Sequence, residues 1–151
     1  MIINHYATPE EVARAVAKEA FVRPSERGWA HIAVSGGSTP RLLFELLAEE
    51  PLRSAVRWDK VHLYWVDERC VPPTDPESNY GMTKAALLDH VPIPEDQVHR
   101  IAGENDPERE AKDYSWLVGA ELPFDGNYPV FDVIILGLGD DGHTSSIFPH
   151  Q

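Results

Sequence analysis

The chain has 151 residues, of which 42% are hydrophobic and 25% charged, and its formal net charge is −12. This length suffices for one domain with a hydrophobic core, and the acidic balance argues against nucleic acid and anionic membranes as partners. No segment approaches the roughly 20 apolar residues needed to cross a bilayer, and the first residues do not resemble a secretory signal. The single cysteine, Cys70, excludes an intrachain disulfide and fits a reducing compartment, so we expect a cytoplasmic protein.

The first predicted element is a helix. Thr8 suits the cap position, Pro9 the first helical position, and Glu11 follows the cap by three residues. Small apolar residues then recur at helical spacing as far as Val22. The segment Pro24–Gly28 is expected to end this helix.

A strand and a glycine-rich loop come next. Ala30–Val34 is predicted to be a strand, and His31 within it is interpreted as a structural residue. Ser35–Pro40 follows, with Thr39 as the expected cap of a helix that runs on to Ala48. Two glycines allow successive N–H groups to converge, the hydroxyls add donors, and the helix start adds positive potential. These features favour a phosphate site, although an ordinary capped turn is the alternative. The loop matches neither the dinucleotide nor the nucleoside triphosphate fingerprint.

The second strand is predicted over Val61–Val66, which is rich in aromatic and β-branched residues. It ends in a charged cluster, Asp67–Arg69. Arg69 is the best cation of the cluster for a phosphate or an oxyanion, because a guanidinium forms two parallel hydrogen bonds. A salt bridge to a neighbouring carboxylate is the alternative. A proline-rich connection follows.

Two further helices and a short strand are predicted in the middle of the chain. Ser78 or Asn79 can cap a helix over residues 80–90. Residues 98–101 are expected to form a short strand. Asp106 begins a helix that should run to about residue 122.

The last predicted strand is an apolar run over residues 133–136, which breaks at Gly137 and Gly139. Such a continuous run is typical of a buried parallel strand. The three hydroxyl residues at 144–146 favour the start of a helix.

Between that strand and the expected helix lie Asp141, Gly142 and His143. A tight turn could aim the carboxylate and the imidazole into one crevice, where the carboxylate would orient the imidazole and raise its basicity. An ordinary turn, with glycine present for its backbone freedom, is the alternative.

Strands that alternate with helices predict a parallel α/β sheet in a single domain over residues 1–151. The polar strand ends at 35–40, 67–69 and 137–146 should meet at one edge of that sheet, which argues for one site. Because the sequence stops where a helix should be under way, we expect an N-terminal portion of a longer protein.

Three segments together, Ser35–Pro40, Asp67–Tyr80 and Gly137–Pro149, resemble the 6-phosphogluconolactonase family. The resemblance implies a three-layer α/β/α, Rossmann-like sheet, which glucosamine-6-phosphate deaminases and ribose-5-phosphate isomerases share. It implies hydrolysis of 6-phospho-D-glucono-1,5-lactone to 6-phosphogluconate, in the oxidative pentose phosphate pathway. It also implies several tens of further C-terminal residues.

The resemblance makes His143 the catalytic histidine and Asp141 its acidic neighbour. Backbone N–H groups of the turn from Gly139 to Thr144 would hold the oxyanion. The partner is a small sugar phosphate, no metal or organic cofactor is expected, and a monomer is the working expectation. The predicted substrate-binding residues are Ser35, Gly36, Gly37, Ser38, Thr39, Asp67, Arg69, Gly139, Gly142 and Thr144.

Two alternative functions stay open on the sequence. Glucosamine-6-phosphate deaminases look similar in the glycine-aspartate-histidine turn, but they usually carry tyrosine where this chain has Arg69, and glutamate where it has Phe148. A non-catalytic sugar-phosphate binding protein would need the phosphate loop but not the pair formed by Asp141 and His143.

Overall fold

A four-stranded parallel sheet forms the centre of the computed structural model, which describes residues 1–149. The strands lie in the order β3-β2-β1-β6, and every pairing between them is parallel. A separate two-stranded antiparallel hairpin joins β4 to β5. The strands are β1 (Ala30–Val34), β2 (Val61–Trp65), β3 (Val98–His99), β4 (Phe124–Asp125), β5 (Tyr128–Pro129) and β6 (Val133–Ile134).

Helices connect the strands and cover the sheet. Within residues 1–149, none of them has the length and apolar character that a membrane crossing requires. Short 3₁₀ turns lie at Trp58–Lys60, Leu88–His90 and Glu95–Gln97. The α-helices are α1 (Pro9–Ala17), α2 (Arg23–Arg27), α3 (Ser38–Leu47), α4 (Leu52–Ala55), α5 (Asn79–Ala86) and α6 (Pro107–Glu121).

The sheet packs between two layers of helices, which confirms the predicted three-layer α/β architecture. Ile32 and Leu63 face the layer of α1, α3 and α5, where they pack with Phe44. On the opposite face Tyr64 packs against α6. Side chains alternate between the faces along each strand, so one strand supplies both cores.

The first helical segment runs past Pro24 to Arg27, so the predicted end at about Val22 was wrong, although Gly28 does end the helix as expected. A π turn over Lys18–Val22 joins α1 to α2, and the N–H of Arg23 donates to the carbonyl of Lys18, five residues back. The π turn changes the hydrogen-bond register just where Pro24 has no N–H to donate. The helix therefore passes the proline and ends at Gly28, whose φ is 149°.

Helix starts were predicted with mixed success. Ser78 caps α5 by accepting the N–H of Gly81 at 3.0 Å, and Asp106 caps α6 in the same way. The predicted cap at Thr39 was wrong, because α3 begins two residues earlier than that cap implies, at Ser38, with Gly37 as its cap.

The final strand is more exposed than its apolar sequence predicted. Ile134 is 52% exposed, and Leu136 and Leu138 lie open as well. Within the described residues β6 pairs only with β1, so it forms an edge of the sheet.

The predicted helix start at 144–146 was also wrong for the described residues. Gly142 and Ser145 have positive φ values of 86° and 53°, which no α-helix allows. Thr144 and Ile147 exchange backbone hydrogen bonds at 3.0 and 3.1 Å instead. The segment after His143 is consequently a compact turn.

Candidate active site

A cavity of about 520 Å³ lies beyond the carboxyl ends of β1, β2 and β6. The three polar strand ends therefore meet at one edge of the sheet, as the sequence predicted. The volume suits a small metabolite, and an α/β sheet binds its ligands at this edge. The lining residues are Ser35, Gly36, Gly37, Ser38, Thr39, Pro40, Asp67, Arg69, Asn79, Gly137, Leu138, Gly139, His143 and Ser145.

His143 and Asp141 form a hydrogen-bonded pair at one side of the cavity. Nδ1 of His143 lies 2.5 Å from Oδ1 of Asp141, and the backbone N–H of His143 donates to the same oxygen at 3.1 Å. The hydrogen bond from the imidazole lowers the pKa of the Asp141 carboxyl, which favours its ionised form. Because Nδ1 is engaged, Nε2 is the nitrogen left to exchange a proton with a ligand.

Close packing positions the His143 ring. A Cβ on Gly139 would lie 2.2 Å from Cε1 of His143, so any larger residue would displace the imidazole. The Phe148 ring stacks on the imidazole with a centroid separation of 4.9 Å. The imidazole is thus held between a glycine and an aromatic ring.

Most of the backbone donors predicted to hold an oxyanion are already used inside the turn. The N–H groups of Gly139 and Gly142 donate to the carbonyls of His143 and Gly139, at 2.8 and 2.9 Å. The N–H of Thr144 donates to Ile147, and that of His143 to Asp141. Four of the six N–H groups from Gly139 to Thr144 are therefore engaged inside the turn, and those of Asp140 and Asp141 are the ones left for the predicted oxyanion hole, which stays a prediction.

The glycine-rich loop leads directly into α3. Gly37 has a φ of 111°, which glycine adopts readily. The N–H groups of Ser38 and Thr39 lie in the first turn of α3, where a helix provides no acceptor for them. With the positive end of α3 they favour an anion. Ser35 has another role, because its hydroxyl donates to the carbonyl of Ile135 at 2.7 Å and ties β1 to the end of β6.

Two arginines stand beside this loop. Arg69 is exposed and, within residues 1–149, its guanidinium forms no ion pair, so the predicted alternative of a local salt bridge was wrong. The neighbouring carboxylate of Glu68 instead accepts backbone N–H groups, including that of Arg69 at 2.8 Å. Arg41, which was not among the residues predicted from the sequence, lines an adjoining depression together with Arg69 and Gly37. Its position in the first turn of the helix after the loop was the available signal.

Asp67 connects two walls of the cavity. Its Oδ1 accepts from the side-chain amide of Asn79 at 3.2 Å, and its Oδ2 accepts from Ser146 Oγ at 2.6 Å. Asn79 in turn packs against the glycine-rich loop, because a Cβ on Gly36 would lie 1.9 Å from its Oδ1. On the sequence Asn79 was predicted only as a possible helix cap, since its contact with Gly36 joins distant parts of the chain.

The remaining predicted residues shape the turn and do not line the cavity. Gly142 provides the positive φ, and the Thr144 hydroxyl donates to the carbonyl of Gly137 at 2.8 Å. Asp141 reaches the cavity through His143.

Comparison with known proteins identifies the family of this chain. The sequence profile of the family described as "Glucosamine-6-phosphate isomerases/6-phosphogluconolactonase" matches residues 4–151. The chain belongs to this family.

Relatives within the family are similar over nearly the whole chain. The 6-phosphogluconolactonase of Haemophilus influenzae is 45% identical over 97% of this chain and 61% of its own length. A crystal structure of devB protein superposes with a TM-score of 0.93 at 42% identity, and covers 99% of this chain and 64% of that one. The 6-phosphogluconolactonase of Trypanosoma brucei superposes with a TM-score of 0.82 at 32% identity, over 98% of this chain and 63% of that one. The chain thus spans about three fifths of the length of these relatives.

Proposed function

We propose that this chain carries the catalytic site of a 6-phosphogluconolactonase, which hydrolyses 6-phospho-D-glucono-1,5-lactone to 6-phosphogluconate. The observation that carries the proposal is that the imidazole of His143, paired with Asp141, opens into the same cavity as the glycine-rich loop and Arg69. A base and an anion site in one cavity suit a substrate with a hydrolysable group at one end and a phosphate at the other. The names of the relatives from H. influenzae and T. brucei support this choice.

The reaction begins with a water molecule at the lactone carbonyl. Nε2 of His143 takes a proton from this water as its oxygen bonds to the carbonyl carbon, and a tetrahedral intermediate forms. The intermediate collapses, the bond from that carbon to the ring oxygen breaks, and the imidazolium gives its proton to the ring oxygen. General base catalysis of this kind contributes about 10²–10⁴-fold. Asp141 holds Nδ1 and stabilises the imidazolium.

The phosphate supplies binding energy that positions the lactone. The first-turn N–H groups of α3 and the guanidiniums of Arg41 and Arg69 surround the proposed phosphate position. These local charges are needed because the net charge of −12 repels an anion at long range. We place the enzyme in the cytoplasm, since its lone cysteine fits a reducing compartment, and we take a monomer as the working state.

A glucosamine-6-phosphate deaminase is less well supported by the site. Phe148 stands where deaminases usually carry a glutamate, and its ring stacks on the His143 imidazole. No carboxylate lies between His143 and Pro149 to shuttle protons on an amino sugar.

The direct test is hydrolysis of 6-phosphogluconolactone by the protein and by its His143→Asn variant, with the spontaneous rate subtracted. We expect the variant to lose about 10²–10⁴-fold in kcat and to keep its affinity for 6-phosphogluconate. His5→Asn, in the exposed N-terminal segment, is the control and should leave both values unchanged.

Two outcomes would contradict the proposal. Full activity in His143→Asn would exclude this histidine as the base. An unaltered protein that binds 6-phosphogluconate tightly but does not accelerate hydrolysis would instead be a sugar-phosphate binding protein.

A further inference from the structure

Three histidines lie side by side on one face of the sheet, outside the active-site cavity. His31 on β1 is opposite His62 on β2 in the strand register, and His99 on β3 is opposite Tyr64, two residues further along β2. Ring centroids are 4.9 Å apart for His31 and His62, and 5.2 Å apart for His62 and His99. The face they share is the one that α6 covers.

The last residue of α6 brings a carboxylate to this row. One nitrogen each from His62 and His99 and one carboxylate oxygen of Glu121 all lie within 4.8 Å of one another. Nδ1 of His62 and Nε2 of His99 face each other directly at 2.9 Å. We propose that His62, His99 and Glu121 bind a divalent transition-metal ion, of which Zn²⁺ fits the donor set best.

The geometry requires little rearrangement. Zinc bonds of about 2.0–2.2 Å in a tetrahedral site place ligand atoms about 3.4 Å apart. The two imidazole nitrogens would separate slightly from their present 2.9 Å, and the exposed Glu121 side chain would move inward. Two histidines and a glutamate are a known zinc ligand set that leaves a fourth position for water.

The donors are also in the chemical form that a metal needs. Burial lowers the pKa of His62 and of His99, so both imidazoles stay neutral near pH 7. The nitrogen that donates in their 2.9 Å contact would pass its proton to the other nitrogen of its own ring when an ion binds, which gives both facing nitrogens a lone pair for the ion. Two imidazoles with one carboxylate favour zinc, nickel or copper over magnesium and calcium, which prefer oxygen ligands alone. The net charge of −12 attracts a cation.

Neighbouring groups hold the ligands in place. His31 packs against His62, and its Nδ1 lies 3.1 Å from the hydroxyl of Tyr64. The hydroxyl of Tyr114, on α6, donates to the carbonyl of His99 at 2.7 Å. These contacts anchor α6 over the two histidines, so an ion bound there would link β2, β3 and the end of α6.

This site is distinct from the lactone site. His62 is the second residue of β2, five residues before Asp67 in the cavity wall, which corresponds to about 16 Å along an extended strand. The ion would therefore stabilise the fold and take no part in hydrolysis.

The test is a calorimetric zinc titration of metal-stripped protein in a His143→Asn background, which removes the other histidine-carboxylate pair as a competing site. We expect one zinc per chain. Glu121→Gln and His62→Gln should each weaken binding by at least about tenfold. Glu108→Gln, an exposed glutamate at the other end of the same helix, is the matched control and should bind as before.

Thermal unfolding supplies a second measurement. Saturating zinc should raise the Tm of the parent and of Glu108→Gln, because a ligand that binds only the folded state stabilises it, and should raise that of Glu121→Gln much less. Glu121 is exposed, so this variant is expected to fold even if His62→Gln does not. The proposal is overturned if the parent binds no zinc, or if Glu121→Gln binds zinc as tightly as Glu108→Gln.

Discussion

At the scale of single residues, the site depends on how the His143 imidazole is held. Asp141 fixes Nδ1, Gly139 leaves room for the ring edge, and Phe148 covers its face. The spacing of Asp141 and His143 suggested the pair, because both residues belong to one short turn, and the family resemblance favoured it over an ordinary turn. The stacking of Phe148 could not be predicted in this way, since it depends on how the chain folds back after His143.

Asp141→Asn should lower kcat for lactone hydrolysis by at least roughly tenfold, and by less than His143→Asn, because the base remains but loses its charged partner. Steady-state kinetics on Asp141→Asn and His143→Asn measures which variant loses more in kcat. Asp140→Asn is the control, since among the described residues the hydrogen bonds of His143 to a carboxylate go to Asp141 and not to this adjacent one. Equal losses in the variants of Asp140 and Asp141 would show that only the charge of the turn matters.

At the scale of elements, close backbone contacts position the loop that carries Arg69. A Cβ on Gly103 would lie 2.1 Å from the carbonyl oxygen of Arg69 and 2.7 Å from that of Val71. Neither oxygen belongs to a flexible side chain, so the loop itself would have to move.

Gly103→Ala should therefore raise KM for the lactone more than it lowers kcat, and should destabilise the fold by about 1–3 kcal/mol. Gly119→Ala is the matched control, because a Cβ there would lie 3.9 Å from Phe124 and alanine favours the helix. That control should raise stability by about 0.5–1 kcal/mol with unchanged kinetics. Unchanged KM in Gly103→Ala would show that Arg69 does not contact the substrate.

Tyr114 connects a helix to two strands in a similar way. Its hydroxyl accepts the N–H of Trp65 at 3.1 Å and donates to the carbonyl of His99. Tyr114→Phe should lower the free energy of unfolding by about 1–3 kcal/mol, because it leaves both backbone groups without this partner. Urea unfolding measures the difference. Tyr128→Phe is the control, because Tyr128 is 76% exposed, and it should leave the free energy of unfolding unchanged. An equally small effect of Tyr114→Phe would contradict the role given to its hydroxyl.

The sequence predicted the elements better than their contacts. The caps at Ser78 and Asp106 and the three strand ends were predicted because each depends on a few adjacent residues. The helix through Pro24 was missed because a π turn has no simple sequence signature. The contact of Asn79 with Gly36 joins segments far apart in sequence, and no local pattern encodes it.

At the scale of the whole molecule, burial of the histidine row links stability to pH. Burial lowers the pKa of His31, His62 and His99 below the ordinary value of 6.5, and this effect exceeds the opposing influence of nearby Asp96, Glu121 and Asp132. The unfolded chain therefore binds more protons than the folded one just below pH 6.5. The histidines stabilise the fold fully above that pH and lose this contribution as the pH falls.

We expect the Tm, measured with a chelator present, to fall as the pH is lowered from 7 to about 5. His62→Gln should show a shallower fall, because one of the three titrating groups is gone. His5→Gln is the control, since His5 is exposed and should leave the slope unchanged. A Tm that rises on acidification would contradict the lowered pKa values of the three buried histidines.

The bridge made by Asp67 has a consequence for selectivity. One carboxylate holds both Asn79, which abuts the glycine-rich loop, and Ser146, which belongs to the turn of His143. The two ends of the cavity are therefore kept at a set spacing, so the cavity discriminates between substrates by their length. On the proposed function, a phosphorylated lactone one carbon shorter would reach the loop or the base, but not both at once.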